Sequence, residues 1–170
     1  MVNLRIATKN DAEVLLSLSR KTFTQAFAAQ NTEADMKAYL AENFTLARIR
    51  EELKVPGVTF LLAYVNEQPA GYAKLSNNQN PTLPNLKQAE LERIYVLQKF
   101  QGHQAGKSLL ELCLALAKQS GAEVLWLGVW EHNQKAIDFY RKFGFQQFGQ
   151  HVFMLGSDAQ NDLLLRLDLA

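Results

Sequence analysis

Residues 100–113 read FQGHQAGKSLLELC, Phe100 to Cys113. Two glycines among polar residues give way at once to leucines. Leu109, Leu112, Cys113 and Leu116 then fall on one helical stripe. The stretch predicts a tight turn feeding a helix that packs on a sheet. The first amides of such a helix have no internal partners. With the helix dipole behind them they make an anion site, and phosphate is a common guest. Gly102 and Gly106 would let the backbone approach it closely. Lys107 and Ser108 add a charge and a hydroxyl. A P-loop would need G-x-x-x-x-G-K-[ST], but only three residues separate these glycines. The stretch also comes late in the chain, which leaves little room for a nucleotide-binding sheet.

On either side of this turn lie strong strand signals. Ala89 to Leu97, A-E-L-E-R-I-Y-V-L, leads into it. Glu123 to Trp130 is nearly unbroken apolar sequence, which suits a strand buried on both faces. Earlier, Leu4 to Ala7 reads as a short strand. Asn10 to Glu13 reads as a capping box before a helix carrying Leu15, Leu18, Phe23 and Phe27. Thr32 opens a second capped segment, and Thr45 to Lys54 a third helix. Val58 to Val65 and Gly71 to Leu75 form a hairpin around Asn66-Glu67-Gln68. Asn133 to Lys142 is helical and stops at Gly144. Phe145 to Leu155 and Leu163 to Leu169 are strands around the turn G-S-D-A-Q-N. The order predicts a mixed α/β sheet with helices on both faces.

Composition narrows the function. The chain has 170 residues, 48% hydrophobic and 21% charged, with net charge +1. That is one ordinary globular domain, 1–170. No basic excess speaks for nucleic acid, and no apolar run is long enough to span a membrane. One cysteine makes neither an internal disulfide nor a Cys-based metal site, and Cys113 fits a buried helix position. His103, His132 and His151 lack metal-ligand spacing, so no metal is expected. These features fit a cytoplasmic protein.

A second motif follows the opening one. In N-Q-K-A-I-D-F-Y-R-K-F-G-F (Asn133 to Phe145), Asn133, Ala136, Ile137 and Tyr140 share a helix face, and Asn133 is a natural N-cap.

Together these segments resemble the GCN5-related N-acetyltransferase (GNAT) family. Gln101-Gly102-His103-Gln104-Ala105-Gly106 is similar to its R/Q-x-x-G-x-G/A acetyl-CoA motif, with Gln104 in place of the first glycine. Asn133, Ala136, Phe139, Tyr140, Gly144 and Phe145 match its N-x-x-A-x-x-F-Y-x-x-x-G-F signature. Leu91 to Val96 also matches. The segments Gln30 to Leu40, Leu127 to Asn133 and the tail G-Q-H-V-F-M-L-G look like the bacterial PaiA-type polyamine N-acetyltransferases.

The resemblance implies an α+β fold with a mostly antiparallel sheet and a splayed strand pair that binds CoA. It implies acetyl-CoA as cosubstrate and a small amine, such as spermidine or spermine, as acceptor. Ile94, Tyr95 and Val96 would hold the pantetheine arm, and an amide near Val96 would polarise the thioester. Gln101 to Lys107, including His103 and Ala105, would hold the pyrophosphate. Asn133, Ala136, Phe139, Tyr140 and Lys142 would complete the cofactor site. Tyr140 would protonate the departing thiolate.

An ammonium must lose a proton before it attacks, so a base is required. Glu90 and Glu92 lie two apart on the strand, expected on the side of Ile94 and Val96, and are the candidates. Glu33, Asp35, Glu42 and Glu131 are candidates for acceptor charge, although Glu33 and Asp35 also suit a helix first turn. Acetylation of a protein N-terminus, a lysine or another amine, or a non-catalytic acyl-CoA sensor, are the alternatives. A homodimer is what the resemblance suggests.

Overall fold

The computed structural model describes residues 1–169. In chain order the elements are β1 (Val2–Ile6), α1 (Ala12–Phe27), α2 (Glu33–Asn43), α3 (Leu46–Lys54), β2 (Thr59–Val65), β3 (Gln68–Ser76), β4 (Gln88–Val96), α4 (Ala105–Gln119), β5 (Val124–Trp130), α5 (Gln134–Lys142), β6 (Gln146–Leu155) and β7 (Asp158–Asp168). The strands form one sheet in the order β1-β2-β3-β4-β5-β7-β6. Among the described residues only the β4–β5 pair is parallel. This is the expected mixed, mostly antiparallel sheet.

Local chemistry explains the elements. Asn66 and Glu67 both take left-handed φ, 50° and 66°, the geometry of a two-residue hairpin turn. Thr32 and Thr45 accept the amides of Asp35 and Arg48, as N-caps do. The first capping box lies earlier than expected. Thr8 and Asp11 form it, because a short 3-10 turn at Lys9–Asp11 precedes α1. Asp11 also takes a bidentate bond from Arg5, at 2.7 Å to each oxygen.

Helices cover both faces of the sheet. Glu52 of α3 bonds Arg93 on one face, and Gly106 of α4 approaches Val96 on the other. Leu15, Ile49, Leu61, Leu62, Leu109 and Leu125 are fully buried between them. Each contributes about 1.5–3 kcal/mol. Cys113 is buried as expected. A second cluster of Phe23, Phe27, Met36, Phe44, Trp130 and Leu155 lies apart from this core.

Two features differ from the sequence reading. Lys74 lies opposite Arg93 and Leu75 opposite Leu91, so Glu92 is an extra, bulged residue. Ile94 pairs with Ala73, while Glu92 bonds Lys74, the next residue along β3. Glu92 therefore faces away from Ile94 and Val96, because the bulge breaks the alternation. The second difference is at the C-terminus. The turn expected over Gly156–Asn161 shrinks to Gly156 and Ser157, since β6 and β7 pair down to Leu155 and Asp158. Asp35 of α2 accepts the Ser157 amide and hydroxyl, both at 3.0 Å, and pins that turn.

Candidate active site

β4 and β5 pair only from Gln88–Val124 to Glu90–Trp126. Beyond that point β4 stays bound to β3 as far as Val96, and β5 to β7 as far as Trp130. The facing edges of the two strands carry no further pairing there, so the two splay apart with backbone groups free on both sides. A cleft of about 710 Å³ fills the opening, with Ile94, Tyr95 and Val96 on one wall and Gly128, Val129 and Trp130 on the other.

One end of the cleft meets the start of α4. Gly102 has φ 90° and Gln104 has φ 69°, so the turn needs two left-handed residues in quick succession. Gln104 fills one of them without glycine's freedom. The first bond of the helix runs from the Ser108 amide to the Gln104 carbonyl. The amides of Ala105, Gly106 and Lys107 therefore have no acceptor within the helix. No side chain caps them. All three residues line the cleft with Gln101, Gly102 and Gln104. Lys135, which sequence reasoning missed, also lines it and donates to Gln101 Oε1 at 2.7 Å. Only its position on the first turn of α5 hinted at this. His103 and Lys142 are exposed and lie off the cleft.

α5 supplies the neighbouring wall. The Asn133 side chain accepts the Ala136 amide, confirming it as the N-cap. Ala136, Phe139 and Tyr140 line the cleft. Burial pushes the Tyr140 hydroxyl well above the ordinary phenol range. It therefore keeps its proton to higher pH than a free phenol does, and it has no hydrogen-bond partner among the described residues.

The other end is aromatic. Phe23 stacks on Tyr39 at 4.7 Å, Phe27 tilts on Trp130 at 5.3 Å, and Phe153 meets Tyr39 edge-on. Three charged residues line the cleft here: Glu92, Arg93 and Asp162. Glu92 is paired with Lys74, and Arg93 with Glu52. Asp162 of β7 was not singled out from the sequence, because it sits just past a segment that reads as a turn. Burial raises its carboxyl to about 6.

The other predicted acids lie elsewhere. Glu90 accepts from Asn78 outside the cleft, and burial raises its carboxyl. Asp35 holds the β6–β7 turn, and Glu131 bonds Asn161. Glu33 and Glu42 are exposed helix residues off the cleft. Among the described residues no cluster of three His, Cys, Asp or Glu could hold a metal, and no helix is long and apolar enough to cross a membrane.

A strand pair open beside an uncapped helix start is the arrangement that the GNAT resemblance implies, and similarity to known proteins points to the same family. Residues 19–145 match the model of the Acetyltransferase (GNAT) family. An uncharacterized N-acetyltransferase from Lactobacillus delbrueckii subsp. lactis is 37% identical over 162 residues, covering 94% of this chain and 92% of that one. An N-alpha-acetyltransferase from Sulfurisphaera tokodaii is 31% identical over 130 residues, covering 71% and 77%. In fold, the chain is similar to the PaiA N-acetyltransferase of Thermoplasma acidophilum, solved with coenzyme A. The TM-score is 0.81 at 20% identity, covering 99% of each chain. The chain belongs to the GNAT family and is an N-acetyltransferase.

Proposed function

We propose that this enzyme takes its acetyl group from acetyl-CoA and transfers it to the primary amine of a small molecule. Polyamines such as spermidine and spermine stand first among the acceptors. Residues 1–170 act as one catalytic domain, in the cytoplasm. The observation that carries this reading is the β4–β5 splay, which opens a slot from the uncapped start of α4 to the aromatic end. The backbone of Ile94 and Val96 lies along the slot, where an extended pantetheine arm would add like a strand. The amides of Ala105, Gly106 and Lys107 suit a pyrophosphate. Acetyl-CoA supplies an activated thioester when bound. Tyr140 lines the cleft and burial favours its neutral form, which supports a role in giving a proton to the leaving thiolate.

Acetylation of a protein N-terminus is a second reading. The Sulfurisphaera tokodaii relative's name favours it, and the aromatic end suits a first residue's side chain. A non-catalytic sensor would have no use for an unpartnered hydroxyl at Tyr140.

The test is CoA release from acetyl-CoA with spermidine, spermine, putrescine, lysine and a short peptide. Turnover with spermidine or spermine supports the polyamine reading, and turnover with the peptide alone supports the second. Acetyl-CoA binding without turnover on any amine would overturn both.

A further inference from the structure

Asp162 lines the aromatic end of the cleft, opposite Trp130 in the β5–β7 register. A Cβ built on Gly128 would lie 3.2 Å from Asp162 Oδ2, so the carboxylate rests directly on the glycine of the splayed wall. Glycine at 128 is what leaves room for it. The other oxygen, Oδ1, is buried and has no hydrogen-bond partner among the described residues. A buried carboxylate oxygen left unmet costs free energy, so native structures keep few of them. The missing partner is a donor. The two other carboxylates near this end already have theirs: Glu92 has Lys74, and Glu131 has Asn161.

The surroundings suit a cation with an apolar body. Phe27, Tyr39, Trp130 and Phe153 flank the position, and aromatic faces attract ammonium groups. Of the titratable and charged groups near Asp162, Glu131 follows β5 and is held by Asn161. His151 lies opposite it on β6, Tyr39 approaches from α2, and Glu92 and Arg93 share the cleft from β4. From β5, Gly128 and Trp130 present no titratable group.

We infer that Asp162 binds the reacting ammonium of the acceptor and takes its proton. This rests on the acetyl-transfer reading above. One proton passes from the ammonium to Asp162. The freed lone pair forms the C–N bond to the acetyl carbon as the C–S bond breaks. The thiolate takes a proton from Tyr140, which regains one from the new amide nitrogen. Asp162 releases its proton to solvent, and nothing is oxidised or reduced. A carboxyl lifted to about 6 is a stronger base than an ordinary aspartate, yet remains mostly ionised at neutral pH. The same role is less suited to Glu92, whose charge already answers Lys74, and unsuited to Glu90, which lies outside the cleft.

The experiment compares wild type with Asp162→Asn in two readouts. In the first, kcat/KM is followed from pH 5 to 9 with the best amine. Loss of about 100-fold or more is expected, with acetyl-CoA affinity unchanged. The limb near pH 6 should vanish, leaving only the acceptor's own ionisation. The second readout does not need turnover. In a Trp126→Phe background Trp130 is the sole tryptophan, and its fluorescence reports the amine arriving beside Asp162. A saturable change with amine that Asp162→Asn abolishes supports the inference even when no acetyl transfer occurs, and the proposed function alone then fails. A variant within about threefold of wild type, with its pH limb intact, overturns the inference. So does amine binding that ignores the substitution, or no response of Trp130 to any amine. Asp162→Asn should melt no lower than wild type; a lower melting point with a parallel loss of acetyl-CoA binding would make the residue structural and overturn it too.

Discussion

Lys74 Nζ lies 3.0 Å from Glu92 Oε1, and the lysine is buried. The same nitrogen is 3.1 Å from Glu52 Oε2, and Glu52 in turn holds Arg93 at 3.2 Å. Charges therefore alternate along Glu92, Lys74, Glu52 and Arg93. The chain bridges α3 to the bulge in β4 and sets the wall of the cleft. Removing Lys74 would leave Glu92 without its counter-charge and Glu52 with Arg93 alone. Lys74→Met is expected to cost about 3 kcal/mol in urea unfolding. Glu92→Gln should cost about 1 kcal/mol and change kcat by less than about 10-fold. A loss above about 100-fold at unchanged stability would make Glu92 the base and remove Asp162 from that role.

Tyr140→Phe removes one oxygen from the cleft wall and leaves the ring. The ring packs on Phe139 and Phe145, so the variant should fold normally. Its kcat should fall by about 10²-fold or more, with acetyl-CoA affinity unchanged. The pH dependence has a definite sign. Burial raises the hydroxyl above its ordinary value, so it remains a proton donor beyond the usual phenol range. Wild-type kcat should hold its plateau through about pH 10. A fall centred below that would show that the acid is another group.

The stretches that gave most in the sequence were those where local chemistry and fold agree. Gly102 to Lys107 reads as a turn into a helix because glycine and leucine spacing act locally, and the structure keeps that turn. Asn133 reads as a cap for the same reason. Glu92 was misread because a bulge is set by how β3 and β4 register against each other, not by β4 alone. Asp162 was overlooked because Gly156 to Asn161 is rich in turn formers. Pairing with β6, and the Asp35 clip on Ser157, draw most of that segment into a strand. The cleft opens where β4 and β5 stop pairing with each other while each stays bound to its outer neighbour, a long-range property that periodicity does not carry.

Gly106 and Gly102 should respond differently to alanine. A Cβ at Gly106 would meet Val96 Cγ2 at 3.8 Å and Phe139 Cζ at 3.9 Å, which is ordinary contact. The fold accepts it, and alanine favours the helix by about 1 kcal/mol. What it narrows is the approach to the free amides of the first turn. Gly106→Ala should keep or raise the melting temperature while raising the KM for acetyl-CoA by about 10-fold, a ligand effect of about 1.4 kcal/mol. Gly102 has open space but φ 90°, so Gly102→Ala should cost about 1–2 kcal/mol of stability. Equal effects of the two on stability and KM would contradict this assignment.

Asp11 gives the clearest pH test of stability. The Arg5 guanidinium beside it holds its carboxyl down from 3.8 to about 2. The folded state thus favours the ionised form more than the unfolded chain does. The stabilisation is fully present above about pH 4 and is lost as pH falls through about 2. Asp11 also accepts the Thr8 amide and closes the entry to α1, so two contributions coincide in one side chain. Asp11→Asn should cost about 2 kcal/mol at pH 7 in urea unfolding. Near pH 2 the folded-state carboxyl is about half protonated and most of that stabilisation has gone, so the two proteins should approach each other. A deficit that is the same at both pH values would show that the asparagine disturbs packing at the start of α1. In that case the Arg5–Asp11 charge would not be what holds β1 to the helix.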